Sequence, residues 1–242
     1  MPHINGALFC IQIKMKNNHI ESHDNSLIKF RLSSIIIFAM AMGIMEAICV
    51  VYIRQIIFPP YGIISDTPTG YFNFYYEIIR ESITIIMLLT TAMLAAFNWR
   101  TRLAMFFLAF GTWDIFYYVG LKLFLNWPQS IMDWDTLFLI PIPWHSPVIV
   151  PVLISFYFIV GSIFIISHEG NGTRLRFDAK VVLLQVLAFG IWLISFMNNT
   201  NQIDEFGYDN VKYSWILFNI ALVFGIASLR LSLTTSKKKN DV

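Results

Sequence analysis

Six long apolar runs, separated by short polar connections, dominate the hydrophobic pattern of this chain of 242 residues. A helix needs roughly 20 consecutive apolar residues to cross about 30 Å of hydrocarbon, and each run approaches or exceeds that length. A transmembrane barrel would instead show segments of about ten residues with alternating polarity. The sequence therefore predicts an all-α integral membrane protein, a bundle of six transmembrane helices. The predicted spans are residues 33–58, 78–97, 103–125, 148–167, 180–197 and 213–233.

The composition supports the same class of protein. Hydrophobic residues make up 57% of the chain and charged residues 13%, and the mean hydropathy is +0.62. Charged residues normally form about a quarter of a soluble domain. The formal net charge is only +2, and the basic residues form no patch large enough for nucleic acid. We therefore expect membrane lipids as partners and no nucleic acid.

The two ends of the chain are more polar than the apolar runs. Residues 1–32 are predicted to form a mobile cytoplasmic tail, and residues 234–242 a basic cytoplasmic tail. Basic residues precede the first apolar run, as they do in a signal peptide, but the run continues to Phe58. We therefore expect an uncleaved first helix. Met15 is a second candidate for the start of translation.

Basic residues concentrate on alternate connections between the spans. Lys and Arg are frequent in the N-terminal tail, in the second and fourth connections and in the C-terminal tail, whereas the first, third and fifth connections are mostly acidic. Cytoplasmic connections of membrane proteins are enriched in Lys and Arg. The pattern therefore predicts that both termini are cytoplasmic, in a bacterial cytoplasmic (plasma) membrane, and that the third connection lies outside.

Two acidic residues, Glu46 and Asp114, lie near the middle of the first and third predicted spans. A charged group near the bilayer centre costs roughly 2.5 kcal/mol or more, so both acids are candidates for a functional site. Arg54 and Lys122 follow the two acids by eight residues and share a broad helical face with them. They are candidate substrate-binding residues or, alternatively, snorkelling anchors. The alternative for the acids is a structural ion-pair lock between the first and third helices.

Three charged residues lie at the predicted outer end of the second span. Glu77 and Glu81 are four residues apart and face the same way on a helix, with Arg80 between them. Like charges repel, so the two carboxylates need a cation, a shared proton or a nearby arginine. Glu81 is a candidate catalytic residue, and Glu77 and Arg80 are candidate substrate-binding residues. Alternatively, all three are ordinary interfacial charges.

The third connection, residues 126–147, is rich in tryptophan and proline and is too apolar for a solvated loop. Tryptophan favours the headgroup zone, so we predict that this lid segment covers the outer end of the bundle. Ser146 and Pro147 are predicted to be the N-cap and the first residue of the fourth helix. His145 would then lie beside the positive end of that helix, which favours a neutral ring that can act as a base or ligand.

The remaining candidates for substrate binding lie around the lid segment. They are Tyr118, Asp133, Asp135 and Trp144. Tyr118 and its neighbour Tyr117 are expected to pack in the bundle, with one hydroxyl bonded to an acid. The tryptophans are alternatively interface anchors. The fifth and sixth spans have no charged residue in their interiors, so they are expected to serve as scaffold.

The chemistry and any cofactor remain open at this point. The sequence has no phosphate-binding loop, zinc-protease motif or nucleophile elbow, and no histidine lies mid-helix as a haem ligand would. An oxygen-rich set with one imidazole suits a divalent metal ion. The residues of such a set are Glu46, Glu77, Glu81, Asp114 and His145.

Taken together, these residues predict an outward-facing polar site of carboxylates and basic groups. The candidate catalytic residues are Glu46, Asp114, Glu81 and His145. The first hypothesis is an enzyme that acts on a lipid-like substrate from the outer leaflet, since carboxyl groups in dry and wet surroundings can divide acid and base roles. The alternatives are a small proton- or ion-coupled transporter and a non-catalytic membrane assembly subunit. The expected ligand is a lipophilic small molecule or a cation.

Overall fold

The chain folds as a helical bundle, with short strands in two of its connections and after its last helix. The computed structural model describes residues 3–57, 74–96, 98–140, 142–170, 173–175, 177–198, 200–208, 211–234 and 237–238, with side chains from Ser26 onward except at 54–57, 74, 174, 201, 204, 206, 234 and 237–238. The helices are α1 His3–Ile57, α2 Phe74–Ala95, α3 Trp99–Leu125, α4 Ile149–Gly170, α5 Ala179–Met197, α6 Thr200–Phe206 and α7 Trp215–Thr234. Within these described ranges, six helices are long and apolar enough to cross a membrane, all but α6. The predicted six-helix bundle is confirmed.

Helix α1 is longer than the predicted first span. It begins at His3, and its apolar, membrane-crossing part is Ser26–Ile53. The described backbone of the segment that we predicted as a mobile tail is therefore helical. No glycine or proline interrupts positions 7–42, so nothing in the local sequence stops the helix there.

Glycines bring α1, α3 and α4 into direct backbone contact. A Cβ atom at Gly43 of α1 would overlap the carbonyl oxygen of Trp113 in α3. A Cβ atom at Gly111 of α3 would lie 2.6 Å from the carbonyl oxygen of Ser155 in α4. Small residues permit this close approach in a membrane, where helices associate through van der Waals contact because the lipid is as apolar as the helices. The three helices therefore form the closely packed part of the bundle.

Helices α5 and α7 pack on each other and reach α4 through large rings. Phe158 of α4 lies against Trp192 of α5, with ring centroids 6.2 Å apart, and Trp192 lies 6.4 Å from Phe218 of α7. Trp192 is only 1% exposed. Since rings rather than small residues fill this interface, the backbones of α4 and α5 stay apart. Cavities remain on either side of the rings.

The lid segment contains a small antiparallel hairpin. Its strands are β1 Trp134–Thr136 and β2 His145–Pro147, with Asp135 opposite Ser146. The hairpin continues inward, because the Trp144 N–H donates to the Phe138 carbonyl at 2.7 Å. A second strand pair, β3 Thr173–Arg174 with β4 Lys237–Lys238, lies beyond the other end of α4. The lid segment is thus an ordered structure across one end of the bundle.

The predicted start of the fourth helix is wrong. Ser146 and Pro147 lie in β2, and α4 begins at Ile149. The reason is the pairing with β1 and the bond from the Val148 N–H to the Asp133 carbonyl at 2.9 Å, which together hold this stretch extended. The Ser146 hydroxyl donates to the neighbouring Pro147 carbonyl instead of capping the helix. Long-range strand pairing overrides the local capping signal.

Candidate functional site

A cavity of about 370 Å³ lies beneath the lid segment, and side chains of α1 to α5 and of the lid segment line it. This volume falls in the range of ligand pockets, about 300–1,000 Å³. We name it the lid cavity. Its wall is mainly aromatic and includes Phe106, Phe107, Phe110, Trp113, Tyr117, Tyr118, Phe138, Trp144, Phe158, Phe189, Trp192 and Phe196.

The close-packed glycines place two carboxylates on the cavity wall. Glu46 follows Gly43 by three residues, and Asp114 follows Gly111 by three, so each acid lies on the same side of its helix as the close contact. Both side chains line the cavity and are buried, at 4% and 9% exposure. The helix faces that carry the acids therefore point into protein, as the cost of a charge in lipid requires.

Asp114 is bonded to helix α4 rather than to its predicted basic neighbour. The Ser155 hydroxyl donates to Asp114 Oδ2 at 2.8 Å, and Ser155 also lines the cavity. Lys122, two turns further along α3, is exposed, and its Nζ donates to the Pro128 carbonyl at 2.9 Å. The buried pair of carboxylate and hydroxyl is therefore available to a ligand without an intervening cation.

An ion-pair network joins α1 and α2 at the cavity. Arg80 forms ion pairs with Glu46 of α1 and with Glu77 of its own helix, and the Thr84 hydroxyl donates to Glu46 Oε2 at 3.2 Å. The alternative to a functional site was an ion-pair lock between the first and third helices, but the partner of Glu46 lies in the second. The side chain of Arg54 lies outside the described residues.

Two further acids hold the lid segment in place. Glu81 of α2 lines the cavity and accepts a hydrogen bond from the Leu139 N–H at 3.0 Å. The Tyr118 hydroxyl of α3 donates to Asp135 Oδ2 at 3.1 Å, which is the expected bond between a tyrosine and an acid. The side chains of Glu81, Tyr118 and Asp135 are all buried. They anchor the lid segment to α2 and α3 above the cavity.

Several predicted site residues lie away from the cavity wall. His145 is buried in the lid segment, with its Nδ1 3.2 Å from the hydroxyl oxygens of Thr136 and Tyr208. Asp133 accepts two backbone N–H bonds within the turn that precedes it. The structure thus separates His145 from Glu46 and Asp114. The other predicted residues that do not line the cavity are Glu77, Lys122 and Asp135.

The metal site considered from the sequence is not assembled. In the part of the chain that the structure describes, no three His, Cys, Asp or Glu side chains are grouped to hold a metal ion. Arg80 forms ion pairs with two of the glutamates, Glu46 and Glu77, and the imidazole of His145 lies in the lid segment. The residues of that predicted set are Glu46, Glu77, Glu81, Asp114 and His145.

The cavity wall also contains donors that sequence reasoning missed. The indole N–H groups of Trp113, Trp144 and Trp192 are buried and have no hydrogen-bond partner among the described residues. Only Trp144 was a predicted site residue, and α5, expected to be scaffold, contributes Trp192. A buried donor that is left unpaired costs about 1–3 kcal/mol. Tryptophan within a span, rather than at its ends, was the available signal.

The charges of the cavity favour a ligand whose polar group is neutral or cationic. Among the described residues, three carboxylates line the wall, and the single guanidinium that lines it, that of Arg80, is already bound to two glutamates. An anionic headgroup would be repelled, whereas Asp114 can accept a hydrogen bond or a proton from a neutral group. Comparison of the chain with protein-family models, curated proteins and solved structures finds no match.

Proposed function

We propose that the protein binds an uncharged, lipid-like alcohol in the lid cavity and that Asp114 exchanges a proton with its hydroxyl group. One observation carries the proposal: the residues that line a single aromatic cavity include a buried carboxylate and three tryptophans whose buried indole N–H groups have no partner among the described residues. This is the chemistry of an enzyme that acts on a lipid-like substrate, with Asp114 as the general acid or base. Glu46, Arg80 and Glu81 shape the cavity.

A hydroxyl group complements both kinds of polar group in the wall. It donates to a carboxylate and accepts from an indole N–H at the same time. A long-chain alcohol also matches the aromatic surface, which supplies most of the wall. An anionic lipid fits less well because Glu46, Glu81 and Asp114 all face the cavity.

The arrangement of the helices supports lateral access from the hydrocarbon. Helix α2 packs on α1 and α3, whereas α5 packs on α7 and β2. Both helices line the cavity, through residues such as Ile85 on α2 and Phe189 on α5. The space between them is the route that a membrane-dissolved ligand would take. The lid segment covers the end of this route that lies nearest the aqueous phase.

The lid cavity lies, in this proposal, at the outer face of a bacterial cytoplasmic membrane, with both chain termini in the cytoplasm. The distribution of Lys and Arg supports this orientation. Single cysteines at two exposed positions, Lys122→Cys and Lys180→Cys, test it in a background with Cys10 and Cys49 replaced by serine. A membrane-impermeant maleimide should label position 122 in intact cells and position 180 only after lysis. The reverse pattern would invert the orientation.

Binding is tested with dodecanol brominated along its chain, because bromine quenches the fluorescence of nearby tryptophans. Protein in phosphatidylcholine nanodiscs should show saturable quenching that unbrominated dodecanol relieves. Asp114→Asn should weaken this binding at least about tenfold, the effect of losing one hydrogen bond to a charged group. Glu205→Gln is the matched control, since Glu205 is an exposed acid on α6.

The two carboxyl variants separate the proposal from unspecific partition. Equal affinity of Asp114→Asn and Glu205→Gln would show that the carboxylate of the cavity has no role in binding. Quenching that rises linearly with probe and is not relieved by dodecanol would show partition into the bilayer alone. Either result contradicts the proposed function.

A further inference from the structure

A second cavity of about 380 Å³ lies between α3, α4, α5 and α7, toward the end of the bundle away from the lid segment. Its wall includes Trp99 and Arg100 at the start of α3 and Ser232 near the end of α7. The two cavities have similar volumes. Only the wall of the lid cavity includes carboxylates among its described residues. The two cavities are separated by a common partition.

Three phenylalanines form this partition. Phe107, Phe158 and Phe189 line both the lid cavity and the second cavity. The rings of Phe107 and Phe158 lie 4.8 Å apart, whereas Phe189 is 46% exposed on α5. The two cavities therefore have aromatic side chains as common lining, and the most exposed of these side chains lies on α5.

Several polar groups around the second cavity are engaged by the protein itself. The Tyr157 hydroxyl donates to Gln185 Oε1 at 3.1 Å. Arg100 Nη1 lies 3.3 Å from Glu169 Oε1, and its guanidinium lies 5.6 Å from the ring centroids of Trp99 and Phe177. Among the described residues that line this cavity there is no Asp or Glu. The surface that it offers to a ligand is therefore chiefly hydrocarbon and ring.

We propose that the second cavity binds the hydrocarbon tail of the same ligand whose hydroxyl group occupies the lid cavity. The proposal rests on the proposed function and adds the length and course of the ligand: the tail passes the partition beside Phe189. Asp114 and Arg100 are 14 residues apart on α3, roughly 21 Å along the helix. A ligand that extends from one cavity into the other is a long-chain alcohol.

Photolabelling in nanodiscs locates the two ends of such a ligand. One probe is octadecanol with a diazirine beside the hydroxyl, and the other is octadecanol with a diazirine on the terminal carbon. After irradiation, mass spectrometry identifies the labelled residues. The head probe should label the lid cavity at Trp113 and Trp192, and the tail probe should label the second cavity at Tyr157 and Gln185.

Lipid-facing residues on the same helices distinguish the outcomes. Phe156 of α4 and Leu183 of α5 are exposed and line neither cavity. Head-probe labelling of the lid cavity together with tail-probe labelling of these two residues would overturn the tail site and leave the proposed function intact. If the head probe fails to label the lid cavity, both proposals fall. If it labels Tyr157 as strongly as the tail probe does, the cavities form a path for the whole molecule, which overturns the tail site.

A cavity-filling variant tests the same assignment from the protein side. A Cβ atom at Gly161 would meet Leu229 at 3.7 Å, an ordinary contact, so the rest of a leucine side chain enters the second cavity. Gly161→Leu should reduce tail-probe labelling of Tyr157 about tenfold, since little space remains there, and leave head-probe labelling unchanged. Gly190→Leu is the control, because Gly190 lies on α5 with open space around it. Equal tail-probe labelling in both variants would contradict the tail site.

Discussion

The two kinds of helix interface in this bundle differ in what fills them. Between α1, α3 and α4 the backbones touch at Gly43 and Gly111, and the carboxylates beside them are bound to Arg80 and Ser155. Between α4 and the pair of α5 and α7, rings such as that of Trp192 keep the backbones apart, and both cavities border this interface.

The difference shows where a membrane bundle can bind a ligand. At the contacts made by small residues the backbones touch, and the carboxylates beside them bind partners on neighbouring helices. The interface between α4 and the pair of α5 and α7 is filled by large rings and borders both cavities, and the indole N–H of Trp192 within it has no partner among the described residues. The closely packed part therefore positions the acids, and the ring-filled part borders the space beside them.

The largest expected effect comes from breaking the ion pairs at the closely packed part. Arg80→Met leaves the buried Glu46 and the half-buried Glu77 without their cation, and breaking a buried ion pair typically costs about 3–5 kcal/mol. We expect the free energy of unfolding, measured by denaturing-detergent titration in micelles, to fall by that amount. Lys122→Met is the matched control, because Lys122 is an exposed cation, and its loss should cost less than about 1 kcal/mol.

A double variant decides whether the network is chiefly structural. Glu46→Gln with Arg80→Met should recover part of the lost stability, because one of the stranded carboxylates is removed with the cation. If this double variant also keeps dodecanol binding, the ion pair fastens helices and has no part in the ligand site. If Arg80→Met is no less stable than Lys122→Met, the network does not support the bundle at all.

An intermediate effect is expected from a single methyl group at the helix contacts. Gly111→Ala places a Cβ atom 2.6 Å from a backbone oxygen that cannot rotate away, so we expect a loss of about 1–3 kcal/mol. Gly190→Ala meets nothing within 4 Å and should stabilise α5 by up to about 1 kcal/mol through helix propensity. The same titration measures both. Similar changes in the two variants would mean that the α3–α4 contact is not close-packed.

The smallest effect on stability is expected at the ring-filled interface. Trp192→Phe keeps most of the ring and removes an N–H group that has no partner among the described residues. The free energy of unfolding should therefore change by less than about 1 kcal/mol, whereas dodecanol binding should weaken. Trp215→Phe is the control, because Trp215 lies outside both cavity walls. Equal dodecanol binding in Trp192→Phe and Trp215→Phe would show that the N–H of Trp192 has no role in the ligand site.

Hydropathy was sufficient to predict the architecture. Each span is a run of apolar residues. Whether a helix crosses a membrane depends on hydropathy summed over about 20 residues, so a single polar residue does not change the outcome. The predicted fifth span, 180–197, nearly coincides with α5 at Ala179–Met197. The acids Glu46 and Asp114 were also identified as buried candidates, because the energetic cost of a charge in lipid is large wherever the helix packs.

The details of the site depend on contacts between distant parts of the chain. Glu46 was expected to pair with a basic residue of its own helix or of the third, but its partner is Arg80, which the crossing of α1 and α2 brings near. Ser146 carries a local helix-start signal that pairing with β1 overrides. Trp192 lies in a span without charge, and only the tertiary arrangement makes it part of a cavity wall.

The spacing of glycine and acid on α1 and α3 yields a fingerprint for finding related chains. Gly43 to Glu46 reads GIME, and Gly111 to Asp114 reads GTWD, each inside a hydrophobic stretch. In a homologue that kept either carboxylate but had a bulky residue in place of its glycine, the two helices could not approach as closely, and the acid would point away from the lid cavity. Genome searches for this architecture should therefore require both glycine–acid pairs, each with a spacing of three residues, in the first and third hydrophobic stretches, rather than the acids alone.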